Sequence, residues 1–132
     1  MTVTIVSPLR VAQSKSKDFI LNMNVYRNAH YRTLHSTKKE YESVMENQIR
    51  FKVPDSMTKI SVTYVVYPQT RRKCDLMNVV SIHSKYFLDT LVKLGKLPDD
   101  SYDHVIKEST AFGCVDKDNP RVEIIVEDLS WL

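Results

Sequence analysis

Residues 58 to 95 read TKISVTYVVYPQTRRKCDLMNVVSIHSKYFLDTLVKLG. The first ten alternate in polarity, are rich in Val, Ile, Thr and Tyr, and stop at Pro68, which predicts a β-strand over 58–67. Leu76, Val80, Phe87, Leu91 and Leu94, widened by Val79 and Ile82, then recur at helical spacing. They predict a helix over 76–94, with Gly95 as its C-terminal stop. A strand that leads through a short basic run into a helix with one apolar stripe can bury both faces only by laying helix on sheet.

Outward from this segment the signals continue in both directions. Toward the N-terminus, Thr37-Lys38-Lys39-Glu40 has capping-box spacing, and Tyr41, Val44, Met45, Gln48 and Ile49 follow at helical intervals, predicting a helix over 37–51 that ends before Pro54. Residues 9 to 35 hold no sustained period and are expected to form a long, largely irregular loop, a kind of segment that is commonly functional. Residues 2 to 6, TVTIV, predict a first strand closed by Pro8. Toward the C-terminus, 104–115 and 121–127 predict two strands, with Asp116 to Asn119 as the turn of a hairpin between them. The expected fold is α+β: one domain over residues 1–132, a mixed or antiparallel sheet packed against two main helices.

Composition narrows the function classes. A chain of 132 residues that is 42% hydrophobic and 27% charged builds one modest core and cannot enclose a large substrate, so a macromolecular ligand must lie across its surface or across a dimer. Cys74 and Cys114 are isolated, which indicates neither a zinc site nor a disulfide framework. The opening MTVTIVSPLR lacks the apolar region of a signal peptide, and no apolar run reaches membrane-spanning length. A cytoplasmic protein without membrane partner or organic cofactor is expected. The net charge of +3 is unevenly spread: residues 9–39 carry seven Lys/Arg against Asp18, or +6, whereas 99–128 carry nine acids against three cations, or −6. A basic arm for phosphates beside an acidic cluster for a cation is a division of labour suited to a metal nuclease, although solvated surface charge alone can produce the same pattern.

The segment Arg71-Arg72-Lys73-Cys74-Asp75-Leu76-Met77-Asn78, then Phe87-Leu88-Asp89-Thr90-Leu91, and then Gly95 with Leu97-Pro98-Asp99-Asp100, resembles the signature of RusA-like Holliday junction resolvases. That signature is a basic run, Asp-x-Asp-Asn opening a helix, an Asp-Ala-Leu-like centre and an Asp-Asp pair past the helix end. Leu21-Asn22-Met23-Asn24-Val25-Tyr26-Arg27 with His30-Tyr31-Arg32 is similar to the family's Asn- and Arg-rich loop, and Arg121-Val122-Glu123-Ile124 to its last strand. The resemblance covers most of the chain, and its specific part is 71–100. It implies a homodimeric, magnesium-dependent endonuclease that nicks four-way DNA junctions symmetrically in recombination, repair or phage genome processing, with manganese as a possible substitute ion. On that reading Asp75 and Asp100 bind the metal with Asp99 in support. Lys85 offsets phosphate charge beside Asp75 and Asp100 in catalysis, and Arg71, Arg72, Lys73, Arg27, Arg32, Tyr31 and Asn78 hold the DNA. Two departures stand out. Met77, a poor magnesium ligand, replaces the second aspartate of the signature, and about one extra helical turn separates Asp75 from Asp89.

Each residue also has a plainer role. Asp75 before an apolar helix is an ordinary N-cap, and Asp99-Asp100 after a proline an ordinary turn. His83 lies on the apolar stripe, where a hydrogen-bonded core histidine is expected. Lys85 stands four residues before Asp89, the spacing of a helix ion pair, and the interleaved aromatic and basic residues of 26–35 suit either base stacking or dimer packing. A resolvase-like protein weakened at Met77, gripping branched DNA or a protein partner without cutting, is the alternative from a different function class.

Overall fold

The structure is a computed structural model and describes residues 1–131. Its elements in chain order are β1 (Thr2–Ser7), β2 (Arg10–Ala12), β3 (Asp18–Ile20), α1 (Met23–Asn28), α2 (Tyr31–Lys52), β4 (Ile60–Tyr67), α3 (Leu76–Lys93), β5 (Val105–Phe112) and β6 (Arg121–Asp128). The fold is α+β, a mixed four-stranded sheet ordered β1-β6-β4-β5 with two long helices and one short one.

Alternation explains the sheet. In β4 the side chains of Ile60, Val62, Tyr64 and Val66 are buried, and in β6 those of Val122, Ile124 and Val126, each separated by a half-buried neighbour. These residues meet the buried stripes of α2 (Thr37, Tyr41, Met45, Ile49) and α3 (Val80, His83, Phe87, Leu91 among them) in one core. Strand β4 is central. It pairs antiparallel with β6 and parallel with β5, and β6 pairs antiparallel with β1.

The expected hairpin between the last two strands does not form: β5 and β6 are not neighbours, because β4 lies between them. The turn residues instead serve Arg121, whose guanidinium donates to the Asp116 carboxylate and the Asn119 carbonyl, both at 2.8 Å. The parallel partner of β5 is β4, and a parallel pair requires a long crossover. Helix α3 is that crossover. It begins beyond the C-terminal end of β4 and returns the chain to the end where β4 and β5 both start.

The expected loop over 9–35 is also structured. Strands β2 and β3 form a hairpin, with Arg10 opposite Ile20 and Ala12 opposite Asp18, and α1 follows with Asn22 as N-cap, its side chain accepting from the Val25 N–H. Three-residue strands and a six-residue helix are too short to show a period. Helix α2 starts six residues earlier than its capping-box spacing suggests. His30 is the cap, and Thr37 is buried in mid-helix with its hydroxyl donating to the Thr33 carbonyl at 2.8 Å.

Two polar groups in the interior matter for stability. Ser7 Oγ lies 2.7 Å from both Tyr41 Oη and His83 Nδ1, so His83 is a core residue hydrogen-bonded across the helix–sheet interface. Lys96, 4% exposed, donates from Nζ to the Val53 carbonyl and to Asp55, each at 2.7 Å, and thereby closes the C-terminus of α2.

Candidate nucleic-acid interface

Strand β4 leaves the sheet at Tyr67, and Pro68, which has no N–H, cannot extend the ladder. The exit is held firmly. The Arg121 guanidinium lies 4.0 Å from the centre of the Tyr67 ring, and Arg121 is fixed by Asp116 and Glu123. The same ring is closely approached by Gly113, where an added Cβ would lie 2.5 Å from its nearest atom. The Gly113 N–H donates to the Val66 carbonyl at 2.9 Å and the Asp116 N–H to the Pro68 carbonyl at 2.8 Å, so residues 113–116 brace the outgoing strand.

From this brace the chain runs through the basic segment to Asp75, the N-cap of α3, whose Oδ1 accepts from the Met77 N–H at 3.0 Å. The hairpin, its base closed by the Leu21 N–H donating to the Leu9 carbonyl at 3.0 Å, and α1 approach from the opposite side. Between the two sides lies an open cleft of about 910 Å³. Arg10, Arg27, Arg72 and Lys73 line it, with Asp75 as the one carboxylate and Asn22, Asn24 and Asn78 as amides. Arg10 reaches across to Gln69, 3.4 Å from Nη2 to Oε1. Four cations against one anion in a concave surface concentrate positive potential, and the amides add hydrogen-bond donors suited to phosphate oxygens.

The structure thus brings together Arg72, Lys73, Asp75 and Asn78 from one segment and Arg27 from another. Arg71 is exposed in the same loop but does not line the cleft. Tyr31 and Arg32 are exposed at the start of α2, beyond α1. Arg10 and the amides of Asn22 and Asn24 were not singled out from the sequence as site residues. Their signal was present in the basic run of 9–39 and in the Asn-rich stretch, but only the fold puts them opposite Arg72.

The expected metal set does not assemble within one chain. Asp75 precedes α3 and Asp99 and Asp100 follow it, and an 18-residue helix separates its ends by about 27 Å. The parallel crossover is the physical reason, since it requires α3 to run the length of the sheet. Asp99 Oδ1 accepts from the Ser101 N–H at 2.8 Å, and its Oδ2 lies 3.8 Å from His104 Nε2. Hydrogen bonds from Ser101, with His104 nearby, hold its carboxyl below the usual range. Among the described residues no group of three His, Cys, Asp or Glu side chains is placed to hold an ion. Asp75 is the one carboxylate lining the cleft, and neither Asp99 nor Asp100 is among its lining residues. Lys85 is exposed ten residues into α3, about 15 Å along the axis from Asp75, and does not reach the cleft. Nor does it pair with Asp89, which binds Lys38 of α2 at 2.8 Å. Met77, in the position of the missing aspartate, is exposed.

Among the described residues no helix is long and apolar enough to cross a membrane. Comparison with protein-family models finds no match, and comparison with curated proteins finds none either.

Proposed function

We propose that the cleft between α1 and the start of α3 holds the phosphate backbone of branched DNA, and that the protein acts as a RusA-like junction endonuclease in the form of a homodimer. The observation that carries this reading is the convergence of two segments some fifty residues apart, 22–27 and 72–78, on one cationic cleft. Both segments belong to the resemblance to the resolvases, whose specific part is 71–100, and a phosphate track is the common requirement of their basic side chains. For cleavage, the magnesium donors come from two copies: Asp75 of one with Asp99 and Asp100 of the other. Two copies packed with their α3 helices antiparallel set the start of one helix beside the end of its partner.

A specific observation favours the alternative of gripping without cutting. Asp75 is engaged as a helix cap, and the position two residues on offers a thioether in place of a carboxylate. Nicking of a synthetic four-way junction in magnesium or manganese separates the two. The endonuclease reading expects symmetrical nicks by the wild type and none by either Asp75→Asn or Asp100→Asn. Because the site is composite, mixed dimers of those two inactive variants retain one intact site and regain nicking. Tight junction binding with no nicks in either metal leaves the binding protein as the correct reading.

A further inference from the structure

A second groove, of about 570 Å³, lies between the β2–β3 hairpin and the join of α1 and α2, and it shares Asn24 with the cationic cleft. Helix α1 therefore stands between two adjoining depressions of different chemistry. The first carries four cations against one acid. The second carries Lys17 against Asp18, a balanced pair, over an apolar floor of Phe19, Ile20, Val25 and Ala29. Amide groups of Gln13, Asn24 and Asn28 lie along it, and the Asn28 amide N–H donates to the Asn24 carbonyl, leaving the side-chain oxygen of Asn28 for another partner.

An aromatic pair adjoins this groove. His30 lines it, and the Tyr31 ring sits against the His30 ring, centroids 4.5 Å apart and planes inclined by 31°. The pair is built before any ligand arrives. His30 Nδ1 accepts from the Arg32 N–H at 3.1 Å as the cap of α2, which fixes the imidazole, while Tyr31 keeps 67% of its surface exposed. The Arg32 guanidinium lies 5.9 Å from the Tyr31 ring centre. A large exposed aromatic surface, pre-stacked and flanked by a cation, is the arrangement that takes the flat face of another ring.

We infer that this groove receives an unpaired nucleobase from the strand whose phosphates lie in the cationic cleft, with Tyr31 and His30 as its stacking platform. The division of charge supports the assignment: phosphates are anionic and require the four cations, whereas a base is uncharged and requires an apolar floor, amides for its edge and an aromatic face. A base within a duplex is stacked and paired and presents no face to Tyr31, so the groove selects the open centre or the single-stranded edge of a branch. This inference rests on the phosphate reading of the first cleft and adds to it the class of DNA element recognised.

The test uses the full-length chain and two probes: a fully paired duplex, and the same duplex carrying one unpaired 2-aminopurine in a single-nucleotide bulge. Anisotropy reads affinity and 2-aminopurine emission reads stacking. The inference expects tighter binding of the bulged probe with a change in emission. It also expects Tyr31→Ala to lose about 5- to 150-fold of affinity for that probe, more than for the duplex, and to abolish the emission change, with Tyr31→Phe behaving as wild type. Equal binding of both probes with no emission response overturns the base groove and leaves the phosphate cleft standing. Binding of neither probe at low salt overturns both.

Discussion

Asp75 holds a helix end whatever else it does, and that makes it possible to separate stability from activity there. Asn caps a helix as well as Asp, so Asp75→Asn is expected to unfold within about 0.5 kcal/mol of the wild type, whereas Asp75→Ala loses about 1 kcal/mol. Denaturant titration of the two variants checks this, and loss of nicking in the Asn variant alone cannot then be ascribed to misfolding. His83 sets an acid limit. Burial pushes its imidazole down to about 3, against about 6.5 in the unfolded chain. The unfolded state therefore binds the extra proton first. Stability at neutral pH is complete and falls as pH drops from about 6.5 toward 3, by up to about 1.4 kcal/mol per pH unit. In His83→Gln that part of the slope is absent, which midpoints measured across this pH range would reveal. Lys96 is the third case. Lys96→Met keeps the buried stem but leaves the Val53 carbonyl without its donor, and a loss of about 1–3 kcal/mol is expected in thermal or chemical unfolding.

Among the elements, the brace around Tyr67 positions the cleft wall, and Gly113 is its tightest point. Gly113→Ala drives a methyl group into the Tyr67 ring, with an expected cost of about 1–3 kcal/mol. Weaker DNA binding should accompany it, because Pro68, Gln69 and Thr70 follow the displaced strand; a variant as stable as wild type would show that the ring moves aside freely. The strength of each element's local signal decided how much of it could be read in advance. Strand β4 and helix α3 announce themselves through alternation and a long apolar stripe, and the structure reproduces both within two residues. The hairpin and α1 are below the length at which any period accumulates. Thr37 and Glu40 imitate a helix start because the same residue types serve in mid-helix when the hydroxyl turns back to a carbonyl. Strand pairing was the largest error: a polar turn before Pro120 favours a hairpin, but the choice of partner is made by distant strands, and β6 finds both β1 and β4. The cleft followed the same logic, since each cationic segment was visible and their meeting between α1 and the start of α3 was not.

At the scale of the molecule, the uneven charge becomes a cleft with four cations against one carboxylate. If Arg72 and Lys73 each neutralise a phosphate, replacing both with Gln lowers the slope of log affinity against log salt by about 2 and weakens all DNA sequences alike. An unchanged slope would remove them from the track. The two-copy arrangement predicts a dimeric mass in sedimentation at the concentrations where nicking is seen, and nicking that declines faster than protein concentration on dilution. The central position of β6 has a further consequence, for how the molecule comes into being. Its partner β1 lies more than a hundred residues upstream, so during synthesis the first strand waits until the intervening residues and β6 itself have emerged. Closing so long a loop slows folding relative to a helical domain of equal size, and for that interval β1 exposes an unmatched edge, which makes newly made chains clients for a holding chaperone.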